Sequence, residues 1–251
     1  MGVDGGPVAF YSDLCDVYDV LFPVSEAQRA FFDKIRGMGP IRRVVDAGCG
    51  SGSQLLHFAS AGISCFGFDP DPDLAGLARE KLASCTDARV EVGGFADTVR
   101  LAPPDADLVL CLGNSLVHVP REDASRFLVD AFSIIVPGGW LLLQILNYER
   151  LFREGCTELP LIGSGDGTVE FRRRYDWEGR DRLRFRTALR VNSEDGPRIL
   201  RNDIPLYPLY PEELWGMISE AGFDPIRFYG DFACSEFTPE SEALVCLARK
   251  P

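Results

Sequence analysis

The stretch that decides the fold is VVDAGCGSG, residues 44–52. An apolar run ends in an acid, Asp46, and glycines follow at alternate positions before a helical pattern over residues 54–61. Such a loop lets a ligand approach the backbone closely at the N-terminus of a helix. The third glycine is Gly52 and Ser53 follows it, so the GxGxxG spacing of dinucleotide-binding loops is absent. The stretch therefore predicts a strand, a glycine loop and a helix.

Outward from this stretch, apolar runs alternate with helical patterns. Further strands are predicted at 64–69, 89–92, 107–112 and 140–146, with helices at 25–37, 72–84, 121–136 and 211–221. Strands at 225–230 and 243–248 are joined by too little chain for a helical crossover, so they should pair antiparallel. The predicted fold class is α/β, a doubly wound, mostly parallel seven-stranded sheet.

Residues 150–206 have a different texture. Interleaved polar and apolar residues predict strands at 169–177, 183–191 and 199–206, separated by turn clusters. We interpret residues 150–206 as an antiparallel β insertion, residues 1–42 as an N-terminal helical cap, and 43–149 with 207–251 as the core.

Ten arginines lie in this predicted insertion, at positions 172, 173, 174, 180, 182, 184, 186, 190, 198 and 201. Alternate arginines on the solvent face of a one-sided sheet would produce this pattern. A lid that attracts an anionic substrate group would also produce it. The sequence leaves both interpretations open.

Composition limits the classes of function. The chain has 251 residues, with 26 Lys plus Arg against 38 Asp plus Glu, for a net charge of -12. Nucleic-acid binders need a basic surface that releases phosphate counterions, so this acidity disfavours a nucleic acid and favours a small-molecule partner.

Other compositional features point to an ordinary soluble protein. Eight cysteines are scattered singly without a CxxC pair, so no metal site is expected. The longest apolar stretch, residues 134–146, is interrupted by Pro137 and two glycines and is too short to span a membrane. Residues 1–7 lack the pattern of a secretory signal. We therefore expect a cytoplasmic monomer or homodimer without a membrane partner.

A second acid lies where a cofactor would need it. Asp69 ends the second predicted strand, 21 residues after Gly48. A carboxylate at that place can accept two hydrogen bonds from a ribose diol, so the loop and the acid together predict a nucleoside ligand. The alternative, that Asp69 only caps the helix beginning near Pro72, is weakened because Asp71 is better placed for capping.

These residues carry a resemblance. VVDAGCGSGS and FGFDPDPDLAGLARE, residues 44–53 and 66–80, resemble the cofactor half of class I S-adenosylmethionine-dependent methyltransferases. The resemblance implies S-adenosylmethionine as cofactor and S-adenosylhomocysteine as product. It implies that Asp46 and the backbone of Gly48, Gly50 and Gly52 hold the methionine part, and that Asp69 holds the ribose hydroxyls. Further cofactor contacts are expected from Tyr18, Cys49, Pro70, Gly94, Phe95, Ala96 and Leu112.

The segment after the third strand departs from the family pattern. That family usually has Gly followed by Asp or Asn, whose side chain reads the adenine amino group, whereas this chain has Gly94 there. Phe95 is expected to lie along the adenine ring, with the amide of Ala96 as a donor. Core packing is the alternative role of Phe95.

A narrower resemblance concerns the acceptor side. CLGNSLVH, residues 111–118, and Asn147-Tyr148-Glu149 resemble segments of glycine and sarcosine N-methyltransferases, and the segment at Tyr11 is similar to the tyrosine segment that approaches the sulfonium there. The resemblance implies catalytic roles for Asn114, His118 and Tyr11. It implies acceptor contacts from Asn114, Leu146 and Tyr148.

Methyl transfer depends mainly on positioning, because the sulfonium is already activated. Asn114 is expected to orient an amine with its side-chain oxygen. Tyr11 and Tyr18 would shield the sulfonium from water, unless they only make amphipathic contacts of an N-terminal helix. His118 is a candidate general base, but we predict a supporting role, because a histidine bonded to loop backbone is the commoner outcome.

Several other functions are compatible with parts of this sequence. A nicotinamide-dependent oxidoreductase is disfavoured by the glycine spacing, and a nucleic-acid methyltransferase by the charge. A small-molecule O-methyltransferase and a non-catalytic cofactor-binding module remain as alternatives to N-methyl transfer. Glycine is predicted to be a poor acceptor, because Leu146 occupies the position before Asn147 where glycine N-methyltransferases have a carboxylate-binding arginine.

Overall fold

The computed structural model describes residues 15–193 and 196–251. Within them, 3₁₀ turns cover Cys15–Val17, Phe95–Asp97 and Ser115–His118. The helices are α1 Tyr18–Leu21, α2 Glu26–Arg36, α3 Ser53–Ala59, α4 Pro72–Leu82, α5 Thr98–Leu101, α6 Arg121–Ile134, α7 Tyr148–Arg153 and α8 Pro211–Glu220. The strands are β1 Arg43–Ala47, β2 Ser64–Asp69, β3 Ala88–Val92, β4 Ala106–Cys111, β5 Ile135–Leu146, β6 Ile162–Gly163, β7 Val169–Trp177, β8 Leu183–Ser193, β9 Gly196–Leu206, β10 Ile226–Tyr229 and β11 Ala243–Arg249.

Seven strands form the main sheet, in the order β10-β11-β5-β4-β1-β2-β3. Strands β1 to β5 pair in parallel, and β11 pairs antiparallel with both β5 and β10. The predicted fold class and the predicted antiparallel pairing of the last two strands are confirmed. The order of those two strands was not predicted: the final strand lies between β5 and β10 rather than at the edge.

One predicted boundary was wrong. The helix α6 ends at Ile134 and β5 begins at Ile135, five residues before the predicted start of that strand at Trp140. Ile135 pairs with Ala106, and the register then shifts before Leu108 pairs with Trp140. The Pro137 to Gly139 segment is therefore an irregularity within a paired strand, whereas its composition favours a loop.

Apolar clusters cover the two faces of the main sheet. On one side Phe127 and Leu128 of α6 pack with Val109 and Leu141. On the other side Phe32 of α2 packs with Phe58 of α3, their ring centroids 5.1 Å apart. The capping box of α2, in which Ser25 Oγ accepts from the Gln28 N–H, begins that helix where the sequence predicted it.

A second sheet, in the order β6-β7-β8-β9, is antiparallel throughout. Its strands β7 to β9 were predicted, whereas the two-residue strand β6 was not. Its inner face carries Phe171, Tyr175, Leu189 and Ile204, which are buried against α1 and the main core. Its outer face carries exposed side chains such as Arg172.

Most arginines of this sheet lie on the outer face. By register these are Arg172, Arg174, Arg184, Arg186, Arg190 and Arg201. Several pair with carboxylates on the same face: Arg174 with Asp176, and Arg184 with Asp203. This supports the interpretation that alternate arginines cover the solvent face of a one-sided sheet. Arg173 and Arg198 are exceptions. By register the exposed Arg198 lies opposite Val191 on the inner face, and Arg173 lies on that face between Phe171 and Tyr175.

The glycine loop generates a stability prediction. Gly52 and Gly62 both have φ of +77°, in the left-handed region, but a β-carbon at Gly52 would lie 2.9 Å from the β-carbon of Ala78, whereas nothing lies within 4 Å at Gly62. We expect Gly62→Ala to lower the free energy of unfolding by about 1 kcal/mol from backbone strain alone. Gly52→Ala should lose roughly 2–3 kcal/mol, because steric overlap is added. Urea denaturation measures both, and equal losses would contradict the close approach of α4 to the loop.

Candidate functional site

The candidate site lies at the carboxyl edge of the main sheet. Strand β1 contains Asp46, β2 ends at Asp69, and Asn114 and Asn147 follow β4 and β5. The carboxyl ends of parallel strands meet at one edge, and the strand order reverses between β1 and β4. The sequence-predicted polar residues are thus brought to the place where open α/β sheets bind ligands.

Asp69 holds the glycine loop. Its Oδ2 accepts a hydrogen bond from the Gly50 N–H at 2.8 Å, and its Oδ1 accepts one from the Asp71 N–H at 2.9 Å. Burial raises the pKa of Asp69 to about 6, although these two backbone hydrogen bonds oppose the increase. A carboxylate has about four acceptor positions, so Asp69 keeps room for hydroxyl donors. Asp71, and not Asp69, caps α4 by accepting from the N–H groups of Asp73 and Leu74.

The carboxyl group of Asp46 is buried, and one of its oxygens lacks a hydrogen-bond partner in the described part of the chain. Its side chain is 2% exposed, and its Oδ2 has no hydrogen-bond partner among the residues that the structure describes. Burial, reinforced by the neighbouring charge of Asp69, raises the pKa of Asp46 to about 8. An orphaned carboxylate oxygen beside the glycine loop fits a cationic or hydrogen-donating ligand group. The ammonium of a bound amino acid moiety would supply that partner.

The helix α1 is fastened to this loop by a polar network that the sequence did not reveal. Asp19 Oδ1 accepts from the hydroxyl of Ser53 at 2.8 Å, and Lys81 Nζ donates to Asp19 Oδ2 at 2.6 Å and to Ser51 Oγ at 2.9 Å. Partial burial raises the pKa of Asp19, but the hydrogen bonds from Lys81 and the two serines outweigh it and lower the pKa overall. The network joins α1, the loop and α4.

Tyr18 lies on the loop. A β-carbon at Gly50 would lie only 2.8 Å from the Tyr18 hydroxyl oxygen. On its other side the ring packs against Phe22, with centroids 5.2 Å apart. Tyr18 therefore covers the glycine loop, as its predicted shielding role requires. Tyr11 lies outside the described residues, so its role stays a prediction.

The segment after β3 lies beside the same loop. Phe95 packs on Phe127 with ring centroids 4.5 Å apart, and its ring edge is 4.0 Å from the β-carbon position of Gly48. It thus contacts the core and faces the loop, so both of its predicted roles are compatible with its position. Asp97, the acid nearest this segment, accepts from the Gly94 N–H and pairs with Arg100. Adenine contact by Gly94 or Ala96 remains a prediction.

Three other predicted cofactor residues have different surroundings. The Cys49 side chain is buried in the apolar cluster under β2, where a β-carbon at Gly67 would lie 2.9 Å from its sulfur. Burial also raises the pKa of this thiol, so Cys49 is a packing residue that can offer only its backbone. Leu112 is buried and its carbonyl accepts from Ser115 Oγ, whereas Pro70 is exposed.

Asn114 joins the ends of two strands. It has φ of +68° after Gly113, its Nδ2 donates to the Tyr148 hydroxyl at 2.8 Å, and its Oδ1 accepts from the Leu146 N–H at 3.0 Å. Both ends of the amide are therefore used to position β5 and α7, which the sequence did not predict. The oxygen retains one lone pair for an acceptor group. Burial raises the pKa of Tyr148 well above its usual range, so its hydroxyl stays neutral.

His118 is half-buried. Burial lowers the pKa of His118 to about 4, so the ring is neutral near pH 7 and a weak base. This favours the predicted supporting role. Over residues 15–193 and 196–251 no group of His, Cys, Asp and Glu side chains is arranged to hold a metal ion. No helix in these ranges is long and apolar enough to cross a membrane.

The chain is similar to known methyltransferases. A methyltransferase domain family matches residues 44–139. A glycine/sarcosine N-methyltransferase of Aphanothece halophytica is 24% identical over 228 residues, which cover 90% of this chain and 83% of that protein. A ubiquinone biosynthesis O-methyltransferase of Xanthomonas campestris is 33% identical over 109 residues, which cover 43% and 44% of the two chains.

Solved structures share the fold. An S-adenosylmethionine-dependent methyltransferase from Clostridium acetobutylicum superposes with a TM-score of 0.80 at 14% identity, covering 96% of this chain and 99% of that one. An amino pentose methyltransferase from Micromonospora echinaspora, solved with the cofactor bound, has a TM-score of 0.71 at 22% identity and covers 90% of each chain. The family match, the curated relatives and the shared fold support a class I S-adenosylmethionine-dependent methyltransferase.

Proposed function

We propose that this methyltransferase transfers the methyl group to an amine nitrogen of a small molecule other than glycine. The observation that carries the choice of nitrogen is the burial of the His118 ring, which lowers its pKa to about 4. A hydroxyl acceptor needs a base in the site to remove its proton, and this histidine is too weak for that task. An amine can lose its proton to water before transfer. Four relatives that cover about nine-tenths of this chain are named for methylation of glycine or sarcosine nitrogen.

The cofactor residues are proposed from their free hydrogen-bonding capacity. S-adenosylmethionine supplies a methyl group already activated on a sulfonium. Asp46 Oδ2, which has no partner among the described residues, would accept from the ammonium of the methionine part. Asp69 would accept from the ribose hydroxyls while its existing bonds to the Gly50 and Asp71 amides keep the loop in place.

The acceptor residues act by positioning. The Asn114 oxygen, held by the Leu146 N–H, would accept from the amine and orient its lone pair. Tyr148 fixes the other end of the same amide. Tyr18 would exclude water from the sulfonium, because it already covers the loop at Gly50. Orientation of this kind is worth up to roughly 7–11 kcal/mol when the geometry is good.

Exclusion of glycine follows from Leu146. Its side chain is partly buried against the main core beside Asn114, so a carboxylate placed there would lose water without gaining a charged partner. Burying an unpaired carboxylate costs several kcal/mol. The acceptor should present an uncharged portion to Leu146.

Cofactor binding should release a proton. Because burial raises the pKa of Asp46 to about 8, this carboxyl is mostly protonated at pH 7, and a cationic ligand favours its ionised form. Affinity should therefore fall as the pH is lowered, by up to about tenfold per unit. Calorimetry at pH 7 in buffers of different ionisation enthalpy should show about one proton released by the wild type and far fewer by Asp46→Asn. Equal proton release by both proteins would contradict the role of Asp46.

His118→Gln should lower the rate modestly and leave the shape of the pH-rate profile unchanged, because the buried ring is already neutral. A general base would contribute about a hundredfold or more. Steady-state rates from about pH 6 to 9 measure this. Loss of a titration near neutrality together with a hundredfold decrease would show that His118 is the base.

A panel of amines, amino acids and phenols tests the acceptor class. Amines should turn over while phenols, glycine and sarcosine do not, and turnover of millimolar glycine on the order of 1 per second would refute the exclusion. Leu146→Arg should gain glycine activity, because an arginine binds a carboxylate through two charge-assisted hydrogen bonds. Leu146→Met, which keeps the volume without the charge, is the matched control and should gain none.

A further inference from the structure

One half-buried arginine of the insertion sheet lies on the apolar side. Arg173 lies on the inner face, where its Nη2 donates to the Pro160 carbonyl at 2.8 Å and its guanidinium lies 5.9 Å from the ring centroid of Phe171. Its Nε is buried and has no hydrogen-bond partner in the described ranges, and no carboxylate there pairs with it. Burial accordingly lowers its pKa. A half-buried cation with a buried, unpaired Nε and no counterion is costly, so a ligand is the natural partner.

A second orphaned group lies next to it. Thr187 of β8 is the direct cross-strand neighbour of Arg173 on the inner face, and only 5% of the residue is exposed. Its hydroxyl also has no hydrogen-bond partner within residues 15–193 and 196–251. Buried polar atoms are nearly always paired in folded proteins. Two donor atoms on neighbouring side chains, Arg173 Nε and Thr187 Oγ1, therefore lack acceptors and indicate a place built for an oxygen that the described residues do not supply.

The position of this pair relates it to the methyl-transfer site. Two residues further along the inner face, Tyr175 lies 6.3 Å from Tyr148 between ring centroids, and Tyr148 is bonded to Asn114. Two residues in the other direction, Phe171 lies 5.9 Å from Phe22 of the segment following α1. Along the inner face, Arg173 therefore lies between Tyr175, which contacts Tyr148, and Phe171, which contacts Phe22.

We propose that Arg173 and Thr187 bind an anionic oxygen, of a carboxylate or a phosphate, on a part of the methyl acceptor remote from its amine. This inference rests on the proposed function and narrows its substrate class. Side chains two apart on one face of a strand are separated by roughly 7 Å, and the ring of Tyr148 intervenes between Tyr175 and Asn114. The rings of Tyr175 and Tyr148 thus lie between Arg173 and Asn114, so the anion belongs to a part of the acceptor away from its amine, which agrees with the exclusion of glycine at Leu146.

The chain's charge makes a local arginine necessary for such a substrate. A protein of net charge -12 repels anions in general, so an anionic acceptor needs a specific cation where it binds. Several outer-face arginines are already paired, as Arg184 is with Asp203. Arg173 has no such partner in the described part of the chain, and its fork can bind carboxylate or phosphate oxygens.

The test uses inorganic phosphate and acetate as probes, each titrated by calorimetry into the full chain saturated with S-adenosylhomocysteine. At least one probe should bind the wild type, and its affinity should fall tenfold or more in Arg173→Gln and in Thr187→Val. Arg172→Gln, the outer-face neighbour, is the matched control and should change affinity less than twofold. Preference for phosphate or for acetate identifies the anionic group.

Thermal denaturation separates binding from folding. Thr187→Val keeps the side-chain shape and removes an unpaired hydroxyl, so its melting temperature should equal or exceed that of the wild type while anion binding is lost. If neither probe binds the wild type at tens of millimolar, the proposal is overturned. It is also overturned if anion binding is lost in Arg172→Gln but retained in Arg173→Gln. S-adenosylmethionine titrated into the same variants should bind as in the wild type. Failure of that titration in the wild type counts against the proposed function instead.

Discussion

Two carboxyl groups buried on neighbouring parallel strands are the constraint on which the rest of this structure depends. Asp46 on β1 and Asp69 on β2 lie close enough that the charge of Asp69 contributes to raising the pKa of Asp46. The loop amides of Gly50 and Asp71 compensate Asp69, whereas Asp46 Oδ2 has no partner among the described residues. Such a pair destabilises the empty protein. We propose that a ligand that brings positive charge and hydroxyl donors to the same place explains the presence of this pair.

The remaining elements enclose the space above this pair. Asp19 and Lys81 hold α1 on the glycine loop, and Phe22, just after α1, packs on Phe171 of the insertion sheet. At its other end, the insertion sheet contacts the core where the ring of Tyr175 packs near the ring of Tyr148. The insertion is thus attached to the site at both ends, so its inner face forms a wall of the space where we place the acceptor.

Local spacing was sufficient to predict the cofactor half. The strand β1 and the glycine loop are contiguous in the sequence, the acid that ends β2 follows 21 residues after Gly48, and each lies where the sequence placed it. The position of β11 was not predictable. The short connection requires β10 and β11 to pair antiparallel, but it does not determine which of the two strands lies next to β5. Lys81 and Asp19 are 62 residues apart, so no local pattern relates them.

Asn114 and Arg173 differ in how far the sequence predicts their surroundings. The bonds of Asn114 to Tyr148 and Leu146 join residues 34 and 32 positions away, so no local pattern predicts them. For Arg173 the signal is local. It lies two residues from both Phe171 and Tyr175, so in a strand its side chain shares their apolar face. The alternation of residues along β7 predicts the face on which Arg173 lies, whereas the number of arginines does not.

The most direct measurement for the central claim is a calorimetric titration of S-adenosylmethionine into the wild type, Asp69→Ala and Asp73→Ala. Hydrogen bonds to a charged group are worth about 1.5–3 kcal/mol, so Asp69→Ala should weaken binding roughly tenfold to 150-fold. Asp73, exposed in the first turn of α4, should be replaceable without effect on affinity. An unchanged affinity in Asp69→Ala, or no binding by the wild type, would contradict the assignment of the buried carboxylates to the cofactor.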